Sequence, residues 1–486
     1  MVVMASTANR SSRYIFLLAF LLPTTGNAGD WKFTPTISVS ERYSDNVSLS
    51  TNNPESSFLT EITPGFNLRS QGGKGSLSVD YGLQALLYTH DSGANGFNNR
   101  LAAKMHTELL DDSFLLDASA NISQQSTSLT GATGTENYNT TGNRSETRSA
   151  SLTPSWRTRF GNTAQFETRW QLTYTDSDNG TLSGTTGNSL SLSLNSGSAF
   201  NRIPWGLSYR LQNSDGNASA DRNSSLSGSL GYIFSPKTRL TLSLGKDSNN
   251  GTTSGFNNAS GIFWNLGFSW VPSTRTNLEV TTGHRYSGNS YGLNFTHRTR
   301  KTTWSLKYSE DITQTFGQVN GEDTYLCQGL QMKVPAGTSP DPALCPAPFL
   351  INRFYSATQL VNDTTLNKAW VGSATYQTGK STYSLSLNKS RRELLTSGTR
   401  DDSSSLGGSW TLQLGPRMTS SLSLTASHAE TTVSQSDDWT LAWVLSRQLS
   451  RQTTGSLDVR RVERDSGSTS GAYKENSVSA RVNMSF

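Results

Sequence analysis

Cysteine is almost absent: the chain has two in 486 residues, Cys327 and Cys345. That excludes a cysteine-rich zinc site and a dense disulfide framework. Charge is sparse too, at 16% of residues. The 41 Lys and Arg are scattered singly or in pairs, so a formal net charge of +5 comes without the basic stripe of a nucleic-acid binder. Apolar residues make up only 33%, below the near-half usual in soluble globular domains. The one marked apolar run, Tyr14-Ile-Phe-Leu-Leu-Ala-Phe-Leu-Leu22, is too short to cross a bilayer as a helix. There is no Gly-x-Ser-x-Gly, His-Glu-x-x-His or Walker motif, and the five His are dispersed. Asp176-Ser-Asp178-Asn-Gly180 has some calcium-loop character but lacks the remaining ligands and the distal Glu. No catalytic residue, metal ligand or cofactor site follows from the sequence, and the expectation is a protein that is not an enzyme.

Aromatic side chains are plentiful: 11 Trp, 16 Tyr and 19 Phe. Disordered chains share the low hydrophobicity but are poor in aromatics. A β-barrel with lipid outside and water inside accounts for both facts. It needs apolar side chains at every second strand position only, with aromatics at the two interfaces.

The N-terminus fits export. Arg10 and Arg13 precede the apolar run, and Gly26 and Ala28 stand at the −3 and −1 positions of a cleavage site, so residues 1–28 read as a signal peptide. Residues 29–486 then read as one barrel. Strand follows strand from Phe33 onward. Ile262, Trp264, Leu266, Phe268 and Trp270 share one face, as do Trp439, Leu441, Trp443 and Leu445. Tight turns near Gly72, Asp111, Gly161, Arg202, Pro236, Pro272, Lys301, Gly379, Pro416 and Ser450 alternate with longer polar loops, the longest at about 311–365. This is the asymmetry of short periplasmic turns and long extracellular loops. It predicts an all-β fold: one large antiparallel transmembrane barrel of about 22 strands with strands of about 10–14 residues, porin-like in kind. Trp156, Phe160, Phe200, Trp205, Phe234, Trp270, Trp304 and Tyr383 lie beside the turns and suit an aromatic girdle.

The faces opposite the apolar stripe carry the charges. Arg157, Arg159, Glu167, Arg169, Glu279, Arg285, Lys307, Asp458 and Arg460 are candidates for lining the lumen, with Asp80, Gln84, Asp117 and Asn121 beside them. A charge facing lipid at the midplane costs about 2–4 kcal/mol. Two readings fit: cross-strand ion pairs that stiffen the wall, or groups that guide a solute. Both signs occur among many Ser, Thr, Asn and Gln, which suits a carbohydrate better than a single-sign ion selector. His284, His297 and His428 fall on the lipid side, where a position near the loop end would be interfacial. With no plug domain legible, only loops could narrow the lumen, chiefly 311–365. Cys327 and Cys345 lie in that segment, and an oxidising compartment favours a disulfide closing a loop of about 19 residues, worth on the order of 3 kcal/mol.

The chain ends Ser477-Val-Ser-Ala-Arg-Val-Asn-Met-Ser-Phe486. Val482, Met484 and Phe486 continue an apolar face to the last residue. The pattern resembles the signal by which outer-membrane barrels engage the barrel assembly machinery. The strand from Phe33 must pair with this one, since an open edge is not tolerated in lipid.

Three segments carry a further resemblance: Trp31-Lys-Phe-Thr-Pro-Thr-Ile-Ser-Val-Ser-Glu-Arg-Tyr-Ser-Asp-Asn-Val47, Phe58-Leu-Thr-Glu-Ile-Thr-Pro-Gly65 and Leu116-Asp-Ala-Ser-Ala-Asn-Ile-Ser-Gln-Gln125. Together they resemble the outer-membrane barrels associated with PEP-CTERM/exosortase systems of Gram-negative bacteria, whose members tend to be encoded with exopolysaccharide biosynthesis clusters. The likeness is concentrated in residues 30–125. It implies an envelope role in passing or placing polysaccharide. The partners expected are outer-membrane lipid, the barrel assembly machinery, and polysaccharide or periplasmic export components. A structural barrel that binds matrix through its long loops is the alternative.

Overall fold

Alternation with period two becomes a closed wall. A single sheet holds 22 antiparallel strands, ranging from the 10 residues of Thr276–Arg285 to the 17 of Arg144–Phe160. The first, Asp30–Ser44, pairs with the last, Tyr473–Ser485, from Thr36↔Ser485 to Ser44↔Ser477. Every remaining wall strand pairs with its neighbours in sequence, so no strand edge is left free. At a strand spacing of about 4.8 Å and a tilt of about 40°, such a wall encloses a barrel roughly 45 Å across. The computed structural model describes residues 30–486 except 91–93, 111, 129, 133, 135–136, 179–183, 216–219, 250–259, 287, 314–321, 328–329, 336–349, 355–364, 395–397 and 468–470. The expected signal peptide, residues 1–28, and Cys345 lie outside the described residues.

Ten short turns alternate with eleven loops along the strand order, and both ends of the barrel chain fall on the turn side. The turns are as short as residues 73–74, 236–237 and 274–275. Gly161, at φ 55, opens one of them in the left-handed region that L-residues avoid. Many strands run longer than the 10–14 residues expected. The excess lies at the loop end, where the outward positions turn polar: Arg148 faces outward opposite Asp176, and Arg391 opposite Asp402. These rungs stand above the hydrocarbon and keep their ladder hydrogen bonds in water. Within 311–365, expected as the longest polar loop, three short strands (Glu322–Cys327, Leu330–Pro335 and Leu350–Phe354) form a small sheet of their own. Strands of five or six residues offer too few alternations to show as a period. Cys327 ends the first of them.

The apolar side chains point out of the barrel. Leu230, Leu244, Trp264, Phe268 and Leu424 are all exposed on the outer face, where lipid covers them. No helix among the described residues is long and apolar enough to cross a membrane; the crossing is made by strands. Beside the turns, Trp156, Phe160, Phe234, Trp270, Trp304 and Tyr383 are exposed on the same face. Their rings contact one another, as in Phe200 against Trp205 at 5.9 Å and Tyr383 stacked on Trp410 at 6.3 Å. The turn-side girdle is therefore a physical belt.

Candidate functional site

Directly paired residues on antiparallel strands share a face, so the register assigns every side chain to lipid or lumen. The inner face is built mostly of hydroxyls and amides. Paired rows such as Gln171–Ser189–Gln212 and Glu167–Ser193–Ser208–Ser227 run across the wall. Hydroxyls meet across strands: Ser119 with Ser151, Ser208 with Ser227 and Ser390 with Ser403, each at 2.7 Å. Small polar side chains keep this wall low and rich in both donors and acceptors.

The charged residues expected inside fall on this inward face. Arg157 is paired in register with Glu167, and Arg169 with Ser155 and Ser191. Glu279 pairs with Ser269, Lys307 with Asn294, and Asp458 and Arg460 with Ser479 and Ser477. Some meet and some do not. Arg169 contacts Glu167 at 3.4 Å. Asp458 is held by Arg460 at 3.4 Å and by Arg42 at 3.9 Å. Arg285 binds Asp247 at 2.6 Å and lies 4.9 Å over the ring of Phe263, an aromatic that the register places inside. In the short loop that follows, burial pushes the Tyr286 hydroxyl up to about 12 against the pull of Arg285, so it stays neutral. Arg157 turns from Glu167 toward the turn, donating through Nε to the Asp112 carbonyl at 2.6 Å. Arg159, Glu279 and Lys307 make no ion pair among the described residues, and Glu279 and Lys307 are separated by the intervening strand that carries Asn294.

The extracellular mouth is organised by features the strand pattern does not announce. Two loops, 45–56 and 127–143, fold against the inner wall. Val47 and Tyr138 are 1% exposed, Leu49 2%. Val47 and Tyr138 pack on the inward Leu59, Leu86 and Tyr88, and Leu49 packs on Val462 and Tyr473. Each such burial contributes roughly 1.5–3 kcal/mol before the cost of ordering the loops. Polar contacts fix the pose. The Arg42 guanidinium lies 4.3 Å over the Tyr138 ring, and the Tyr88 hydroxyl donates to the Tyr138 carbonyl. Thr140 donates its N–H to the Val47 carbonyl at 3.1 Å. Buried Glu475 accepts from Ser44 at 2.6 Å and from Asn139 at 3.1 Å. Loop 127–143 thus leaves the wall beside Ser126 and reaches the seam between the first and last strands. Segment 311–365, expected to be the chief narrowing element, lies largely outside the described residues; its short strand Leu350–Phe354 approaches the wall strands Ser381–Leu394 and Arg400–Gly415. One signal of the two seated loops was present: Leu86-Leu87-Tyr88 breaks the alternation by placing apolar side chains on both faces.

On the outer face, His284 lies near the loop end, 3.0 Å from Asn289. His428 is 2.7 Å from Asp437 at the same end. His297 is at the opposite end, one residue before its strand runs into a turn and 2.9 Å from the Thr276 hydroxyl, so its interface is the turn-side one. The suggested ion site is otherwise engaged: Asp176 accepts from the Gly184 N–H at 3.1 Å, and Asp178 pairs with Arg148 at 3.2 Å. At the seam, Val482 lies opposite Val39 and Met484 opposite Ile37, and the Phe486 N–H donates to the Pro35 carbonyl at 2.9 Å.

No family model and no curated protein matches the sequence. Solved structures match the fold. The chain is similar to the FrpB iron transporter from Neisseria meningitidis, at 10% identity over 93% of this chain and 82% of that one, with a TM-score of 0.53. It is similar also to the siderophore receptor PirA from Acinetobacter baumannii, at 9% identity over 95% and 81%, with a TM-score of 0.51. Outer-membrane transporters of 22 strands carry a plugged lumen. Here the described residues divide among wall strands, connections and the small three-stranded sheet, and the inner wall of the mouth is occupied by loops 45–56 and 127–143. Closed wall, lipid-facing apolar band and turn-side girdle together make this an outer-membrane β-barrel protein.

Proposed function

We propose that the barrel is a porin-like, non-enzymatic component of an exopolysaccharide-export or PEP-CTERM surface system, through which a hydroxyl-rich glycan passes or is placed at the cell surface. The observation that carries this reading is the inner wall itself, built mostly of Ser, Thr, Asn and Gln. Such a wall exchanges hydrogen bonds with sugar hydroxyls and offers few apolar anchors that would hold a solute in place. The resemblance over residues 30–125 supports the setting. Outer-membrane lipid, the barrel assembly machinery and periplasmic export components are the corresponding partners. Planar-bilayer conductance of the purified barrel, with oligosaccharide added to one side, tests the reading. The expected result is an open pore whose current falls as sugar enters. A lumen that stays closed after removal of both 131–140 and 311–365 would sink it.

A second reading is favoured by the two loops packed into the mouth: a surface-interaction barrel whose loops bind matrix while the lumen stays shut. That reading predicts glycan binding without conductance.

A further inference from the structure

The turn end carries charge that passage of a neutral glycan leaves unused. Seven consecutive turns, at 201–204, 236–237, 274–275, 299–301, 378–380, 416–417 and 449–452, each hold at least one Lys or Arg and no Asp or Glu. Arg202, Lys237, Arg275, Arg300 and Lys301 are exposed and make no ion pair among the described residues. The same holds for Lys380, Arg417 and Arg451.

The positive charge continues inward. Arg159, Arg239 and Arg298 occupy the inward position nearest the turn on their strands. Deeper, the register sets Arg169, Ser191 and Arg210 side by side, so arginines recur on every second strand, about 10 Å apart. The inward acids on this stretch are Glu108, Asp112 and Asp117 around the turn that precedes it, then Glu167, Glu279 and Asp458; Asp112 is engaged by Arg157, Asp117 by His106, Glu167 by Arg169, and Asp458 by Arg460 and Arg42. At the loop end, by contrast, inward charges are matched, as in Arg285–Asp247 and Arg392–Asp401.

We propose that the turn-side mouth is a docking vestibule for a polyanionic glycan, a chain of uronate- or phosphate-bearing sugars entering the lumen from the periplasm. The proposal rests on the passage reading and adds the charge of what passes. A ring of cations that served inner-leaflet lipid headgroups would face outward above the girdle; here arginines lead from the rim into the lumen. Between them stand Ser191, Ser193, Ser208 and Asn195 on the same face, groups that bond sugar hydroxyls. A mouth lined by one sign of charge raises the local concentration of an oppositely charged chain.

The test uses the purified full barrel in phosphatidylcholine nanodiscs, probed with a fluorescent polyuronate, a neutral dextran of equal length, polyglutamate, and phosphatidylglycerol vesicles. The variant carries Arg202→Gln, Lys237→Gln, Arg275→Gln, Arg300→Gln and Lys301→Gln, all on exposed turns, with folding checked by heat-modifiable migration. Polyuronate is expected to bind at least about tenfold tighter than dextran, to weaken with salt, and to lose about tenfold in the variant. Equal binding of dextran, or unchanged polyuronate binding by the folded variant, would overturn the proposal. Tighter binding of polyglutamate would assign the mouth to an acidic protein instead, and a change confined to phosphatidylglycerol would assign it to lipid. A barrel that conducts but binds no polyuronate loses the vestibule alone. One that binds polyuronate at this mouth but never conducts loses the passage reading.

Discussion

The two ends of this barrel are built from the same strands and solve opposite problems. At the turn end the connections are two to eight residues long, the lumen rim is basic, and the cations have few counterions. At the loop end two connections, 45–56 and 127–143, are long enough to fold back inside, and inward charges are paired or buried against apolar side chains. The lesson concerns where a polar wall can tolerate order. Short turns allow no packing, so the turn-side rim remains a wet charged surface. Long loops can bury Val47, Leu49 and Tyr138, and that burial brings with it the enclosed Glu475, Asn139 and Arg42 contacts.

The largest expected effect removes both ends at once. Deleting Phe486 takes away the last seam hydrogen bond and the terminal aromatic; little heat-modifiable barrel should then reach the outer membrane, and normal amounts by immunoblot of membrane fractions would refute the assembly role. Next comes the loop end alone. Tyr138→Ala removes the ring under Arg42 and leaves a cavity among Leu59, Leu86 and Tyr88, costing about 3 kcal/mol of local packing. It should free loop 127–143 to protease and raise single-channel conductance, while polyuronate binding at the turn end stays as it was. Glu475→Gln is milder. Ser44 and Asn139 both donate to Oε1, so an amide oxygen still accepts both hydrogen bonds but without the charge that strengthens them, a loss of about 1–3 kcal/mol; the check is a lower unfolding midpoint with a wall of unchanged strand content by circular dichroism. The smallest effect lies at the turn end. Glu167→Gln breaks an exposed pair with Arg169 and should cost less than about 1 kcal/mol. It should nevertheless shift the reversal potential toward anions, because the vestibule loses an acid. A larger change in stability than in selectivity would mean that the pair is structural after all.

The wall was legible because lipid imposes a rule on every second residue. Ile262 through Trp270, Leu422 with Leu424, and Val478 through Phe486 all obey it, and the turn chemistry at Gly161 or Pro236 punctuates it. From that rule followed the strand number, the alternation of turns and loops, the girdle, and the face on which Arg157, Glu279 or Asp458 lies. Three things were out of reach. Val47, Leu49 and Tyr138 read as stray apolar residues in polar loops, since their partners sit on different strands far along the chain. His297 could be assigned a face but not an end, because alternation is the same at both ends of a strand. The small sheet at 322–354 was too short to register as a period.

By itself, then, the amino-acid sequence determined a closed antiparallel barrel, its sidedness and its polar lumen, because alternation and loop length are local properties written residue by residue. Only the tertiary structure decided which charges meet, which loops enter the mouth, and that Arg169 and Arg210 flank Ser191 on the inward face. Those depend on the register between strands and on contacts such as Glu475 with Ser44, which join residues at opposite ends of the chain and exist only once the wall has closed.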